Sequence, residues 1–350
     1  MNFDMNILKS LCLSGGISGN ESEVREKIVN EISKCDIEYY KDPLGNLIVF
    51  KKGKNRPLTR LMLTAHMDEV GLIVTHITED GYLGFDKVGG IDNKILLGQN
   101  VFVGKNKIPG VIGIKPIHLA GKSEIFSEID VESLLIDIGA KNRENAQKYV
   151  NLGDSVIFSS TFDDSNGRII SKALDDRIGC FILINMIKNE LEYDTYFVFT
   201  VQEEIGLRGA KTAAYTVSPQ AALVIEATTA NEVPGTEEYK KICQLGKGPA
   251  VSFMDKRTLY DKKYYDLAIS LANENGINIQ PKKGVTGGND AGAINISKEG
   301  VRTLALSVPC RYLHTNAGII NKTDLMDTFN LAILLTEKIA SQDFNSKVLN

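Results

Sequence analysis

Side chains that bind metal ions or move protons follow several short apolar runs in this sequence. RLMLTA leads to His66, TYFVFTV is followed after one residue by Glu203 and Glu204, AALVI leads to Glu226, and TLALSVP is followed within a few residues by His314. Each run has the length of a β-strand. Because sites in open α/β sheets form beyond the carboxyl ends of the strands, four such strands in one sheet would bring these residues together.

Asp175, in KALDDR, lies where a long helix is predicted to begin and could join this group. The resulting set has nitrogen and oxygen donors and no thiolate: His66, Asp175, Glu204, Glu226 and His314. Such donors suit zinc, cobalt or manganese. Three carboxylates with two imidazoles exceed what one catalytic zinc needs, and they fit two ions ~3.5–4 Å apart with one carboxylate bridging. The sequence therefore predicts a centre of two divalent metal ions.

Two more carboxylates could assist such a centre. Asp68 could accept the ring N–H of His66 and thereby fix its tautomer and orientation. Glu203, beside Glu204 but pointing elsewhere, could take a proton from a water molecule whose pKa a metal ion lowers to ~7. Taken singly, each of these metal-binding or acidic residues could also have a structural role, as a polar residue at a strand end, in a solvated turn or as a helix cap. The prediction of a hydrolytic site therefore depends on the joint pattern.

The elements that must position these residues alternate between strand and helix. This alternation, before about residue 70 and again after about residue 170, predicts an α/β sheet covered by helices on both faces. Between these parts, short β-rich runs separated by glycines predict a small β-barrel-like unit. We therefore expect a discontinuous catalytic domain of residues 1–69 and 163–350 and an inserted β domain of residues 70–162.

Composition narrows the functional classes. Hydrophobic residues make up 43% and charged residues 24% of the chain, as in ordinary globular proteins. The net charge of −4 argues against a nucleic-acid partner. Five cysteines without a C-x-x-C pair favour a reduced, cytoplasmic chain, and we expect neither a signal peptide nor a membrane span. His76 and His118, within the β-rich part, are predicted to be structural.

Several longer motifs occur in a fixed order along the chain: HMDEVG, VGGID, IDIGAK, KALDDR, VQEEIGLRGA and CRYLHT. With these motifs the sequence resembles the tetrahedral (TET) aminopeptidases, a metallopeptidase family that includes glutamyl and deblocking aminopeptidases, from about Leu8 to Ile339. The resemblance implies a peptidase domain with a central mixed sheet flanked by helices and an inserted PDZ-like β-barrel domain. It also implies assembly into hollow tetrahedral dodecamers, with dimer contacts made by the insert.

The resemblance further implies individual roles in the site. Asp175 would bridge two metal ions, Glu203 would be the general base, Asp68 would orient His66, and a non-proline cis peptide would follow Asp175. The terminal ligands would be His66, Glu204, Glu226 and His314. The expected activity is removal of N-terminal residues from short peptides by a water molecule bridging two metal ions, either zinc or cobalt, with manganese as a further candidate.

Two positions depart from the family pattern. Glu226 stands where Asp is usual, and because Glu is one methylene longer, metal preference and affinity could differ. Asn289 stands where the late loop usually has Thr. In the family this loop lies beside the substrate, so specificity could differ as well.

Three alternatives remain open from the sequence. A deblocking or deacylase-type hydrolase would use the same metal ions and would cleave N-acetylated peptides. An endoglucanase needs only two carboxylates, but it has no need of the histidines, and the chain has no Trp and only 7% aromatic residues for stacking on sugar rings. A non-catalytic scaffold would be favoured by a missing ligand or base, and none is missing.

Overall fold

The computed structural model describes residues 3–113 and 129–343 of the chain. Within these ranges the strands are β1 (Glu38–Lys41), β2 (Leu47–Lys51), β3 (Leu61–His66), β4 (Gly71–Ile77), β5 (Leu83–Val88), β6 (Asn100–Val103), β7 (Ile108–Gly113), β8 (Leu135–Asp137), β9 (Ser155–Phe158), β10 (Asp163–Ser165), β11 (Arg168–Ser171), β12 (Thr195–Thr200), β13 (Ala221–Thr229), β14 (Ala250–Ser252), β15 (Gln280–Lys282), β16 (Arg302–Arg311) and β17 (Gly318–Asn321).

The helices of the described ranges are α1 (Met5–Leu13), α2 (Ser22–Ile32), α3 (Asn93–Leu96), α4 (Arg143–Ala146), α5 (Leu174–Lys188), α6 (Arg208–Val217), α7 (Lys262–Glu274), α8 (Ala291–Ile294) and α9 (Lys322–Ala340), with short 3-10 turns at Val131–Ser133 and Glu238–Lys240. None of them combines the length and the apolar character needed to cross a membrane.

The larger sheet is mixed, and its strands follow the order β1-β2-β12-β3-β13-β16-β17-β11-β10. The four apolar runs of the sequence are the neighbouring strands β12, β3, β13 and β16, which are all parallel. β14 adds an antiparallel partner to β16, and β15 pairs parallel to β14. The predicted sheet is therefore confirmed, and the carboxyl ends of its four central strands lie side by side.

Helices cover both faces of this sheet because its strands are apolar on both sides. In β3, Leu61 and Leu63 join the core on the side of α5, whereas Met62 joins a second core with residues of α6 and α8. This alternation follows from the two-residue repeat of a strand. A strand buried on both faces reads as a continuous hydrophobic run, as β3 does.

The β-rich middle of the chain forms a closed barrel with the strand order β4-β5-β8-β7-β6-β9. Its interior is a separate apolar core that includes Leu72, Val103 and Ile136. The predicted barrel is confirmed, and its strands fall between residues 70 and 162; the domain boundaries themselves stay a prediction. His76 is exposed on the barrel, with its ring over Gly84, whereas His118 lies outside the described residues.

Candidate metal centre

The candidate ligands gather at the carboxyl ends of the parallel strands. His66 is the last residue of β3 and is level with Thr200, the last residue of β12. Glu203 and Glu204 follow β12, and His314 follows β16. The position of Glu226 differs from the sequence analysis, which placed it at a strand end. It lies inside β13, which continues to Thr229 because β16 keeps pairing with it as far as Cys310.

Asp175 lies between the two histidines. Its Oδ1 is 3.1 Å from Nε2 of His66, and its Oδ2 is 3.4 Å from Nε2 of His314. Asp175 and Asp176 have non-helical backbone angles within α5, and the peptide bond between them is cis, as the family resemblance implies. This local backbone holds the Asp175 carboxylate at the strand ends, with one oxygen facing each imidazole.

Glu204 completes a group that could hold a cation. Potential ligand atoms of His66, Asp175 and Glu204 all lie within 4.8 Å of one another. Oε1 of Glu204 is 3.1 Å from Nε2 of His314, yet it is buried and makes no hydrogen bond with any described residue. A buried carboxylate oxygen without a hydrogen bond is costly unless another partner binds it. The mixed nitrogen and oxygen donors therefore fit a divalent metal ion.

The acids and imidazoles of this group lie close together, and they shift one another's pKa values. Although burial disfavours the charged ring, the close carboxylates of Asp175 and Glu204 raise the pKa of His314 to about 11. The nearby carboxylates of Asp175 and Asp68 likewise raise the pKa of the buried His66 ring well above its usual value, against the effect of burial. In turn the two rings hold the pKa of Asp175 well below its usual range, against the effect of burial. The surrounding carboxylates therefore favour the protonated form of both imidazoles over the neutral form.

Asp68 contacts the site differently from the expectation. Nδ1 of His66 is 3.1 Å from the backbone oxygen of Asp68 and 3.6 Å from its carboxylate. The carboxylate accepts hydrogen bonds from the backbone N–H groups of Glu203 and Glu204, at 3.0 and 3.1 Å, and from the hydroxyl of Ser18. Asp68 thus contacts His66 mainly through its main chain, while its side chain holds the segment after β12 in place.

Glu203 lines the same cavity as the candidate ligands. Burial raises the pKa of Glu203 well above its usual value, against the lowering effect of the His66 ring. A carboxyl group with a raised pKa can both accept and return a proton near neutral pH.

The barrel also reaches the site. Nδ1 of His314 is 2.8 Å from the backbone oxygen of Gly90, in the VGGID segment after β5. A carbonyl can only accept, so this contact places a proton on Nδ1 and leaves Nε2 to face Asp175 and Glu204. This contact could not be predicted from the sequence, because a backbone oxygen carries no residue-type signal; the glycine pair in VGGID was the available hint.

The two departures from the family pattern contact each other. The side-chain amide of Asn289 donates to Oε1 of Glu226 at 2.7 Å and to the hydroxyl of Tyr260 at 2.9 Å. The hydroxyl of Ser307 donates to the same Glu226 oxygen at 3.0 Å. Burial raises the pKa of Glu226 to about 7. Glu226 and Asn289 could each be singled out from the sequence, whereas Tyr260 was not predicted because no motif marks it.

The ligands open onto a cavity of about 220 Å³. The cavity is lined by the candidate ligands and Glu203, and also by the end of β13, by Ile242 and Lys282, and by the loop residues Thr286, Gly287 and Gly288. The loop that was expected beside the substrate therefore lines this cavity.

Two imidazoles and several carboxylates around one cavity, at the carboxyl ends of parallel strands, define the class of the protein as a metal-dependent hydrolase on an α/β fold. Residues 45–331 match the family described as M42 glutamyl aminopeptidase, and the chain belongs to that family. The family membership makes the chain a metal-dependent aminopeptidase, which confirms the activity expected from the sequence.

Individual relatives span nearly the whole chain. A lysyl aminopeptidase of Pyrococcus furiosus is 34% identical, over 97% of this chain and 99% of the relative. The structure of the TET1 peptidase of Pyrococcus horikoshii, described as able to assemble into a tetrahedron or a large octahedral shell, is 38% identical with a TM-score of 0.84, over 97% of this chain and 99% of that one. A structure named as an endoglucanase of Thermotoga maritima is 37% identical with a TM-score of 0.79, over 95% of this chain and 96% of that one.

Proposed function

We propose that this chain removes N-terminal residues from short peptides at a centre of two divalent metal ions. The observation that carries the proposal is the position of Asp175, whose two carboxylate oxygens face Nε2 of His66 and Nε2 of His314. A carboxylate with one oxygen toward each of two imidazoles is suited to bridging two cations.

The other ligands divide between the two sides of Asp175. Glu204 lies beside His314 and would share its ion. Glu226 lines the same cavity and would hold the other ion together with His66, with Oε1 held by Asn289 and Ser307 and Oε2 without a hydrogen bond to any described residue. Zinc or cobalt suits this donor set best, and manganese is also compatible. When bound, the ions would polarise the scissile carbonyl and lower the pKa of water.

Glu203 is the proposed general base. Its main-chain N–H is held by the Asp68 carboxylate, so the side chain stays at the cavity wall. Glu203 would accept a proton from the attacking water and donate it to the amine that leaves when the peptide bond breaks. Asp68 is a positioning residue in this scheme, because it contacts His66 and the Glu203–Glu204 segment.

Two other activities are compatible with parts of this site. A deblocking or deacylase-type hydrolase would use the same residues, and it would cleave an N-acetylated peptide as well as a free one. An endoglucanase would need two carboxylates but neither imidazole. The close contacts of His66 and His314 with Asp175 therefore favour the peptidase over the glycosidase.

The cysteines and one relative bear on the cellular setting and the assembly of the chain. All five cysteines are unpaired, which fits a reducing cytoplasm. The described assembly of the Pyrococcus horikoshii relative supports a tetrahedral dodecamer of this chain, with the barrel making the dimer contacts. Short peptides that could enter such a shell are the proposed substrates.

The test is the replacement of Glu203 by Gln in the metal-loaded protein. Hydrolysis of a panel of aminoacyl-p-nitroanilides should fall by about 10²- to 10⁴-fold, while metal analysis still finds two ions per chain. Glu237→Gln, at an exposed loop position, is the matched control and should keep full activity. Full activity of Glu203→Gln would exclude the base assignment, and activity that survives complete metal removal would exclude the metal centre.

A further inference from the structure

A chain of hydrogen bonds connects Asp255 to the proposed metal ligand Glu226. The hydroxyl of Tyr260 donates to Oδ2 of Asp255 at 2.5 Å. The side-chain amide of Asn289 donates to the oxygen of Tyr260 at 2.9 Å and to Oε1 of Glu226 at 2.7 Å. All four residues are buried, and neither Asp255 nor Tyr260 lines the candidate active-site cavity. Asp255 and Tyr260 therefore reach the metal centre through Asn289 rather than by direct contact.

The chemistry of Asp255 sets the direction of the bonds in this chain. A carboxylate can only accept a hydrogen bond, so the Tyr260 hydroxyl directs its proton to Asp255 and offers a lone pair to Asn289. Burial and the nearby carboxylates of Glu226 and Asp255 raise the pKa of Tyr260, which keeps that proton on the oxygen. Asn289 then turns its NH2 group toward Tyr260 and Glu226, while its amide oxygen accepts the backbone N–H of Ala291 at 2.9 Å.

Asp255 lies in the hairpin of residues 253–260, whose turn fixes its side chain. The backbone N–H of Asp255 donates to the oxygen of Thr258 at 2.9 Å. Oδ1 of Asp255 accepts the backbone N–H groups of Arg257 and Thr258, both at 2.7 Å. One carboxylate oxygen is therefore used within the turn, and the other is left for the hydroxyl of Tyr260.

Glu226 needs such support because of its length. The family resemblance implies Asp at this position, and Glu has one more rotatable bond that must be fixed. The amide of Asn289 and the hydroxyl of Ser307 both donate to Oε1 of Glu226. The carboxylate is therefore held through one oxygen, and the other oxygen is left for an ion.

We propose that Tyr260 and Asp255 are positioning residues for the ion bound by Glu226. Through Asn289 they determine which oxygen of Glu226 is held and which one binds the ion. This role rests on the proposed function, because Glu226 is a ligand only of the proposed metal centre. Partners outside the coordination sphere typically change metal affinity by about 10- to 100-fold when they are removed. Because Tyr260 and Asp255 act through Asn289, we expect the lower end of that range.

The first test is Tyr260→Phe, which removes the hydroxyl and keeps the ring. Co²⁺ binding to the metal-free protein is measured by competition with a fluorescent chelator and by the visible absorption of the bound ion, which reports its coordination geometry. One of the two ions should bind about 10-fold more weakly and show an altered spectrum. The other ion should bind as it does in the wild-type protein.

Asp255→Asn tests the direction of the bonds. Its amide oxygen can still accept from the turn, while its NH2 group faces the Tyr260 hydroxyl as a donor. The hydroxyl then turns its proton toward the N–H groups of Asn289, so the same ion should bind about 10-fold more weakly. In the Tyr260→Phe background, Asp255→Asn should change the affinity by less than about twofold, because the hydroxyl is its route to Glu226.

Tyr264→Phe is the matched control, because Tyr264 is a buried tyrosine of α7 in the main core and does not line the cavity. Whatever its effect on the melting temperature, it should leave both Co²⁺ affinities and the spectrum unchanged. If Tyr260→Phe does not fold, Asp255→Asn decides alone.

Three results would overturn the proposal. The first is an unchanged Co²⁺ affinity and spectrum in Tyr260→Phe and Asp255→Asn. The second is an equal weakening of both ions, which indicates a general loosening of the fold. The third is an effect of Asp255→Asn that persists in full in the Tyr260→Phe background. A wild-type protein that binds fewer than two Co²⁺ ions would contradict the proposed function itself.

Discussion

Asn289 holds Glu226 with a geometry that a threonine could not reproduce. Its amide donates to both Glu226 and Tyr260, and its side-chain oxygen accepts the backbone N–H of Ala291. All the polar atoms of the amide are therefore used, which fixes its orientation. A threonine has one hydroxyl proton and could satisfy only one acceptor. The longer acid at position 226 and the amide at position 289 thus form a matched pair.

This pairing predicts the effect of substitutions on metal binding. Asn289→Ala should weaken binding of one metal ion by about 10- to 100-fold, as is usual when a residue that orients a ligand is removed. Competition with a fluorescent chelator measures the affinity. Asn278→Ala, at an exposed amide that contacts Asp327, is the control and should bind both ions normally.

The double variant Glu226→Asp with Asn289→Thr carries the pair of residues that the family resemblance implies at these positions. Its loss of affinity should be smaller than the sum of the two single losses, because residues in contact couple. Strictly additive losses would show that Asn289 and Glu226 act independently.

The raised pKa of His314 predicts how metal binding depends on pH. Its pKa, raised to about 11 by Asp175 and Glu204 against the effect of burial, keeps the ring protonated near neutral pH in the metal-free protein. A ligating nitrogen must lose its proton, so metal binding should release protons and become tighter as pH rises from about 6 to 9. Calorimetry in two buffers of different ionisation enthalpy measures this release. His76→Gln, on the barrel surface, should not change it, and a binding heat independent of buffer would contradict the prediction.

At the scale of single residues, the candidate site could be predicted from the sequence where its chemistry depends on side-chain type. His66, Glu204 and His314 follow apolar runs, so their convergence could be predicted from strand ends. The contacts made by the carbonyl of Gly90 and by the backbone N–H groups that Asp68 accepts could not be predicted, because every residue has a carbonyl and nearly every residue has an N–H group.

Among the elements, a buried ion cluster connects the end of α1 with the segment after β3 and the start of α5. Glu69 contacts Lys172 at 2.6 Å and Arg177 at 3.1 Å. Both cations also donate to the backbone oxygen of Ser14, and Arg177 donates to that of Met67 at 2.9 Å. One acid thus balances two buried cations close to the candidate site.

Removing that acid should destabilise the fold. Glu69→Gln leaves two cations without their counter-charge and should lower the free energy of unfolding by about 3–5 kcal/mol. Urea unfolding of the metal-free protein measures the change. Glu79→Gln is the control, because its ion pair with Arg143 is exposed and should contribute at most about 1 kcal/mol. Equal effects of the two variants would show that Glu69 has no special role.

The elements themselves were predictable to different degrees. β3, β12, β13 and β16 are continuous apolar runs, and a run of that kind indicates a strand buried on both faces. The closely spaced glycines of the middle segment indicated the barrel. The extent of β13 beyond Glu226 was not predictable, since it depends on pairing with a distant strand, β16.

For the whole molecule, the proposed tetrahedral assembly gives a mass that can be measured. Light scattering after size-exclusion chromatography should give about twelve times the 38.4 kDa of one chain. The value should not change when the protein is diluted tenfold, since a closed shell leaves no open interface for exchange. A monomer or dimer under all conditions would contradict the assembly.

The hydrogen bond between Gly90 and His314 connects the barrel to the candidate metal ligands. An engineer who trimmed the barrel away to obtain a minimal enzyme would also remove the acceptor that keeps one imidazole in its tautomer. For the same reason, a neighbouring subunit that pushes on the barrel could tilt that ring and alter turnover. The barrel, which we propose makes the contacts between subunits, is therefore linked to the proposed catalytic residues by the carbonyl oxygen of Gly90.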